Sequence, residues 1–369
     1  MRNVATSRPG SRPAGGRAGR RVAAAAIAGG LLASGAAACS SSGSRSAASS
    51  GSTAGSTSAG PAASGTTSAS TVDVSNVTLN IGDQAGSGSQ SLLTAAGLIS
   101  KLPFRAHGAD FTSGPPMLQA MGAGSIDVGG VGDAPPVFAA AGGSQIAVVS
   151  ALTANPDGSA ILVPKNSPIH SVAQLRGKSI AVAQGSSANY HLLAILTRSG
   201  LTIKDVTPDY LQPAEAQAAF AAGHVAAWDV WSPFIEQAEA QDHARVLANG
   251  ANIGQTYSFE VASRTALADP SKAAAIRDYL TLLAQAYTWA ATHQSVWAAT
   301  WAKATGLPLS VMAQAVKDEL PKPTGITPPV LSAEQSVANA FTAAGLIPGH
   351  VDFNNFAVTS FNSIFGASS

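Results

Sequence analysis

The chain has 369 residues, 46% of them hydrophobic and 11% charged, with a formal net charge of +1 and one cysteine. A single cysteine excludes an internal disulfide, so stability has to come from a buried core. Loss of the Arg-rich first 38 residues, which read as an export signal, would leave a net charge of −5, which argues against nucleic acid or a polybasic membrane surface as a partner.

Six arginines (Arg2, Arg8, Arg12, Arg17, Arg20 and Arg21) and no acid precede an apolar run over residues 22–38. Basic residues, an apolar stretch and then Ala36-Ala37-Ala38 read as an export signal. The run is Ala-rich and interrupted by Gly29, Gly30 and Gly35. It is too short for a lasting membrane span, which needs ~20 apolar residues. Cys39 stands at the junction and resembles the cysteine of a bacterial lipobox. That resemblance implies cleavage after residue 38 and diacylation of the Cys39 thiol, although Ala36 stands where Leu is more usual. The alternative is an ordinary secretory signal with an incidental cysteine. Arg20-Arg21 also permits twin-arginine export. Loss of residues 1–38, with six arginines and no acid, takes the net charge from +1 to −5. Residues 39–72 are nearly all Ser, Gly, Ala and Thr, with Arg45 as their one charge. Such a segment cannot bury surface to offset its ordering entropy and reads as a tether.

From residue 77 the pattern alternates. Residues 77–81, 104–111, 126–131 and 146–151 read as strands, and 92–102, 115–122 and 134–141 as helices. The rhythm restarts with strands at 160–164, 179–183, 206–211, 226–230 and 245–248. Between them come a helical turn at 172–176 and helices at 189–199, 214–222 and 234–241. Residues 257–262 read as a strand returning to the first sheet, and 271–365 as mainly amphipathic helix. Trp289, Trp297 and Trp301 fall at near-helical spacing there and read as core-facing. This alternation predicts an α/β fold of parallel-rich sheets flanked by helices. It divides into lobe 1 (residues 73–158 and 255–369) and lobe 2 (159–254), with the ligand expected in the cleft between them.

Four strand-to-helix turns are rich in small residues. They are Gly82-Asp83-Gln84-Ala85-Gly86-Ser87-Gly88-Ser89, Thr112-Ser113-Gly114-Pro115-Pro116, Gly129-Gly130-Val131-Gly132-Asp133-Ala134-Pro135-Pro136, and Gln184-Gly185-Ser186-Ser187-Ala188-Asn189. Free backbone N–H groups and hydroxyls at helix starts can hold an anion without a lysine. Each turn taken singly can equally be a capped loop. A fifth segment, Ala227-Trp228-Asp229-Val230-Trp231-Ser232-Pro233-Phe234, puts Asp229 and Trp231 on one strand face. Trp231 can wall a pocket for a ligand tail or pack under the next helix. Asp133 and Asp229 can meet a cationic group or cap a helix. The seven histidines show no metal-ligand spacing, no cofactor motif is present, and no nucleophile–base grouping can be read.

The turns 111–116, 123–136 and 185–187, with segments 214–223 and 227–234, resemble the substrate-binding proteins of aliphatic-sulfonate ABC importers, within the sulfonate, nitrate and taurine group. The resemblance runs from about residue 79 to residue 350. It implies a two-lobed periplasmic-binding-protein fold of type II, a small-molecule sulfonate as ligand, an ABC permease as partner, and no enzymatic activity. It implies a monomer, lipid-anchored outside the cytoplasmic membrane. Site residues carried over or read from the turns are Gln84, Ser87, Ser113, Gly114, Asp133, Ala134, Ser186, Ser187, Asp229 and Trp231. Glu260 departs from the family pattern, which is expected to be aromatic or apolar there. If it faces the cleft, it favours a ligand with an amine or a hydroxyl. The alternatives are the same fold binding nitrate, taurine or a flavin or pyrimidine precursor, an enzyme of the pyrimidine-synthase type, and a ligand-presenting sensor.

Overall fold

The computed structural model describes residues 72–84, 88–153, 155–318 and 321–366. In β1 (Thr78–Gln84) the apolar residues Leu79 and Ile81 are wholly buried. Each contributes about 1.5–3 kcal/mol by leaving water. There follow α1 (Ser89–Ala95), β2 (Arg105–Phe111), α2 (Gly114–Gly122), β3 (Val128–Val131), α3 (Ala134–Ala141) and β4 (Ile146–Thr153). The next stretch holds β5 (Ser159–Val163), β6 (Ser179–Val182), α4 (Ser187–Arg198), β7 (Thr207–Tyr210), α5 (Pro213–Ala221), β8 (Ala227–Trp231), α6 (Phe234–Gln241) and β9 (Arg245–Asn249). The chain then forms β10 (Tyr257–Ser263), α7 (Arg264–Ala268), α8 (Pro270–Thr292), α9 (Gln294–Thr305), α10 (Leu309–Asp318), β11 (Lys322–Thr324) and α11 (Pro328–Ala343).

Two open sheets result. The first has strand order β11-β4-β10-β3-β1-β2 and the second β7-β6-β8-β5-β9. Both are mixed. β1 runs parallel to β2 and β3, and β6 parallel to β7 and β8. β10 is antiparallel to β3 and β4, β11 to β4, and β5 to β8 and β9. The parallel character expected from the alternation therefore holds where a helix crosses over between neighbours. It gives way at β5 and β10, where the chain enters a sheet from the other half, and at the edge strand β11, because none of these follows its antiparallel neighbour through a single crossover helix. The architecture is the two-lobed type II periplasmic-binding fold.

Two local expectations change. The first helix is shorter and earlier than residues 92–102, since β1 extends through Gln84 and α1 starts at Ser89. Residues 322–324 form an edge strand within a region expected to be helical. Pro323 is compatible with an edge position, where one face of the ladder needs no donor.

One apolar cluster unites α1, α8, α9 and α10 with the first sheet, through Leu92, Tyr279, Trp297, Trp301 and Met312. A second runs from the first sheet into the other half. There the Phe341 ring of α11 meets Phe138 of α3 edge-on at 4.8 Å and lies tilted against Tyr190 of α4 at 6.0 Å. Among the described residues, no helix is long and apolar enough to cross a membrane.

Candidate functional site

A cleft opens between the two sheets. Strand ends of the first sheet line it with Asp83, Gln84, Gly130 and Val131, and β10 adds Phe259 and Glu260. The second sheet and its loops contribute Ser159, Ser186, Ser187, His191 and Trp231. Ligands of open α/β sheets bind at such strand ends. Among the described residues that line it there is no Lys or Arg.

The helix starts facing this cleft are unequal. α4 begins at Ser187 with Ser186 as its cap: the Ser186 hydroxyl donates to the Ala183 carbonyl at 2.7 Å and accepts the Asn189 amide at 3.4 Å. The amides of Ser187 and Ala188 stand at the first helical positions, where no carbonyl of the same helix can take them. α2 and α3 differ. Pro115 and Pro116 in the first, and Pro135 and Pro136 in the second, have no N–H to give. The Ala134 amide is spent on the Asp133 carboxylate at 2.7 Å. The expectation that every turn offers free amides is therefore corrected: the α4 start has them, α2 keeps the Gly114 amide ahead of its prolines, and α3 has none left.

The two halves touch at these turns. A Cβ added to Gly132 would lie 3.0 Å from the Ser187 Cβ, so the approach depends on glycine. The Ser187 hydroxyl hydrogen-bonds the Asp133 carboxylate across the gap. Burial pushes that carboxyl up to about 7, against the pull of the Ala134 amide, Ser187 and His191. A second bridge joins the turn before α2 to the turn before α5. Thr112 and Ser113 donate their hydroxyls to Gln212 Oε1 at 2.9 and 2.8 Å.

Behind Ser187, one turn along α4, His191 is buried and its Nδ1 lies 2.9 Å from an Asp229 carboxylate oxygen. Burial disfavours an imidazolium here, but the Asp229 charge and hydrogen bond, with the Asn249 carbonyl, outweigh it and raise the His191 pKa. Burial likewise raises Asp229, with His191 opposing. The pair titrates as a unit.

At the other end Asp83 is fully engaged. Its carboxylate accepts the Ser89 amide at 3.0 Å and the Ser89 hydroxyl at 2.6 Å, and Tyr279 in turn donates to Ser89 Oγ at 2.9 Å. Glu260 is not. Only 2% exposed, it leaves Oε2 without a hydrogen bond. Burial, with the Asp83 charge adding, pushes its carboxyl up to about 8.

Of the residues expected from sequence, Gln84, Gly114, Asp133, Ser186, Ser187 and Trp231 come together on the cleft wall. Three stand apart. Ser113 is spent on Gln212, Ala134 is wholly buried with its amide on Asp133, and Asp229 is buried as the partner of His191. Ser87 and Cys39 lie outside the described residues. Asp133 does cap its helix, as one reading of that residue allowed. Trp231 meets Phe234 edge-on at 5.9 Å and also lines the cleft.

Residues 99–306 match the family model described as "ABC transporter, phosphonate, periplasmic substrate-binding protein". The chain is 37% identical over 279 residues to the putative aliphatic sulfonates-binding protein of Escherichia coli (strain K12), covering 74% of this chain and 86% of the relative. It belongs to the substrate-binding proteins of ABC transporters. The alkanesulfonate-binding protein SsuA from Xanthomonas axonopodis pv. citri, bound to MOPS, superposes with a TM-score of 0.73 at 35% identity. That match covers 76% of this chain and 98% of the other. The periplasmic aliphatic sulphonate binding protein SsuA from Escherichia coli gives 0.68 at 35% identity, over 76% and 91%. This binding protein is therefore an extracytoplasmic solute-binding protein rather than an enzyme.

Several cleft residues of this binding protein were not singled out from sequence. His191 sits four residues after Ser187, one helical turn away, and that spacing was its only signal. Tyr190, Tyr257 and Tyr287 also line the cleft. Trp297 and Trp301 are buried in the core as expected, stacked at 5.1 Å, yet both reach the cleft wall as well.

Proposed function

We propose that this binding protein carries an aliphatic organosulfonate to an ABC permease, with the sulfonate at the start of α4 and the tail along the aromatic wall. The observation that carries this reading is the α4 first turn: unspent amides of Ser187 and Ala188 and the helix dipole, at a cleft with no Lys or Arg among its described lining residues. Neutral donors suit a monoanion. A sulfonate stays singly charged at any physiological pH, whereas a phosphonate gains a second charge near neutrality, which a cleft with no Lys or Arg among its described lining residues does not meet. The raised Asp133 carboxyl keeps a proton for much of that range and can donate it to a sulfonate oxygen. Trp231, Tyr257 and Trp297 offer apolar area for the tail. The names of the relatives support the same ligand class.

Delivery would proceed by closure of the halves on the ligand and docking on the permease. Residues 1–38 would be removed on export, Cys39 would carry the lipid, residues 39–72 would act as tether, and the protein would work as a monomer. The lobes would comprise residues 73–158 with 255–369, and 159–254. Calorimetry with ethanesulfonate, butanesulfonate, nitrate and methylphosphonate tests the ligand class. Saturable binding of the two sulfonates alone is expected, and binding of methylphosphonate or nitrate with silence toward both sulfonates refutes it.

A further inference from the structure

Along β10 the side chains alternate. Phe259 and Val261 enter the core that runs toward the second half, while Ala262 joins the cluster of Leu92, Tyr279, Trp297 and Trp301. Glu260 shares the face of Ala262 and so projects among apolar side chains. It also has room made for it: a Cβ on the paired Gly130 would lie 2.9 Å from Glu260 Oε1. A carboxyl in such a place normally finds a partner, and neighbouring Asp83 does. Glu260 Oε2 has none, although the residue is only 2% exposed and lines the cleft. The same wall holds a second unmet atom, the indole nitrogen of Trp301, also buried and also at the cleft. An acceptor and a donor left open against one cavity are what a ligand group would complete.

We infer that Glu260 is a specificity-determining residue that reads a hydrogen-bond donor, a hydroxyl or an ammonium, carried on the tail of the organosulfonate. This rests on the proposed sulfonate ligand and narrows it. A hydroxyl would donate to Glu260 and could accept from Trp301, whereas an ammonium would satisfy Glu260 alone. The charge state separates the two. Asp83 of β1 acts on Glu260 electrostatically, Glu260 in turn acts on Tyr279 of α8, and burial favours the neutral carboxyl in the free protein. An ammonium would draw the proton off it on binding, and a hydroxyl would not.

The test is calorimetry on the wild-type protein, Glu260→Gln and Glu260→Leu with two matched trios. One trio is ethane-, 2-hydroxyethane- and 2-aminoethanesulfonate, and the other is its three-carbon counterpart. In the wild type a donor-bearing member should bind at least tenfold more tightly than its plain counterpart in one trio. Glu260→Leu should invert that ranking. Glu260→Gln should keep a hydroxyl preference within about threefold but lose an ammonium preference by tenfold or more. Titration in two buffers of different ionisation enthalpy should show proton release for an ammonium ligand only. A wild type that binds all three members within twofold, or variants that lower all three equally, overturn the inference while the sulfonate reading stands. No binding of any member to the wild type refutes both. If Glu260→Leu does not fold by thermal melting, the isosteric Gln variant decides.

Discussion

Replacing Glu260 by Gln should stabilise the ligand-free protein, by an amount that grows with pH. The buried carboxyl ionises at about 8 in the fold and at the ordinary 4.5 once unfolded. Below pH 4.5 both states hold the proton and the residue contributes no difference. Between the two values the unfolded chain loses it first, so folding weakens by about 1.4 kcal/mol per pH step. The accumulated loss is about 3 kcal/mol at pH 7 and about 4 kcal/mol at pH 8, where it levels off. Gln has the shape of the neutral acid and cannot ionise, so Glu260→Gln escapes that loss. At roughly 2 °C per kcal/mol for a chain of this size, the variant should melt about 6 °C higher at pH 7. At pH 4.5 the two melting curves should nearly coincide. Melting scans at half-unit pH steps from 4.5 to 8.5, without ligand, measure the gap directly. A constant gap across that range, or a wild type that melts higher at pH 8, refutes the placement of an ionisable carboxyl in an apolar wall.

The remaining expectations concern the head-group end. Asp133 ionises at about 7 beside the proposed sulfonate, faced by Ser187, His191, Tyr190 and Glu334. If the neutral form is the one that binds, apparent affinity should fall about tenfold between pH 6 and pH 8, and Asp133→Asn should abolish that fall; an unchanged slope in the variant removes Asp133 from the site. Ser186→Ala should cost about 1 kcal/mol of stability as a lost cap, with little change in sulfonate affinity, while Ser187→Ala should weaken binding and leave melting nearly unchanged. The reverse pattern would contradict the division of labour in that turn. Gln212→Ala removes two bridges between the halves, worth about 0.5–1.5 kcal/mol each, and should enlarge the ligand-free particle in small-angle scattering. Identical scattering would show that the bridge does not hold the halves together.

Much of the architecture was legible from local pattern. The alternation of strands and helices, its restart after residue 158 and the return near residue 257 all have counterparts in the two sheets. Strand direction was not, because β5 and β10 enter their sheets from the opposite half and nothing in their own residues records it. β11 escaped notice since three residues with a proline carry no period. At the site, the Ser186-Ser187 turn could be read directly, but Pro135-Pro136 was counted as part of a donor turn when proline chemistry removes those donors. The engagement of Ser113 and Asp229 could not be read for a common reason: their partners Gln212 and His191 lie 99 and 38 residues away in sequence. Glu260 stood out by its residue type alone, and only the paired Gly130 reveals why a carboxyl fits there.

The proline-blocked start of α3 has a consequence for the order of events. With its amides gone, α3 cannot compete for the anion proposed at α4, and the two unspent amides of the α4 turn present a stronger attraction than the single Gly114 amide of α2. On the proposed sulfonate reading, capture would begin as a one-sided landing on α4, and the opposite half would arrive afterward as a cover whose carboxyl proton, rather than its helix, completes the enclosure. Losing that proton would leave the landing place intact and the cover repelled, so release would begin at Asp133.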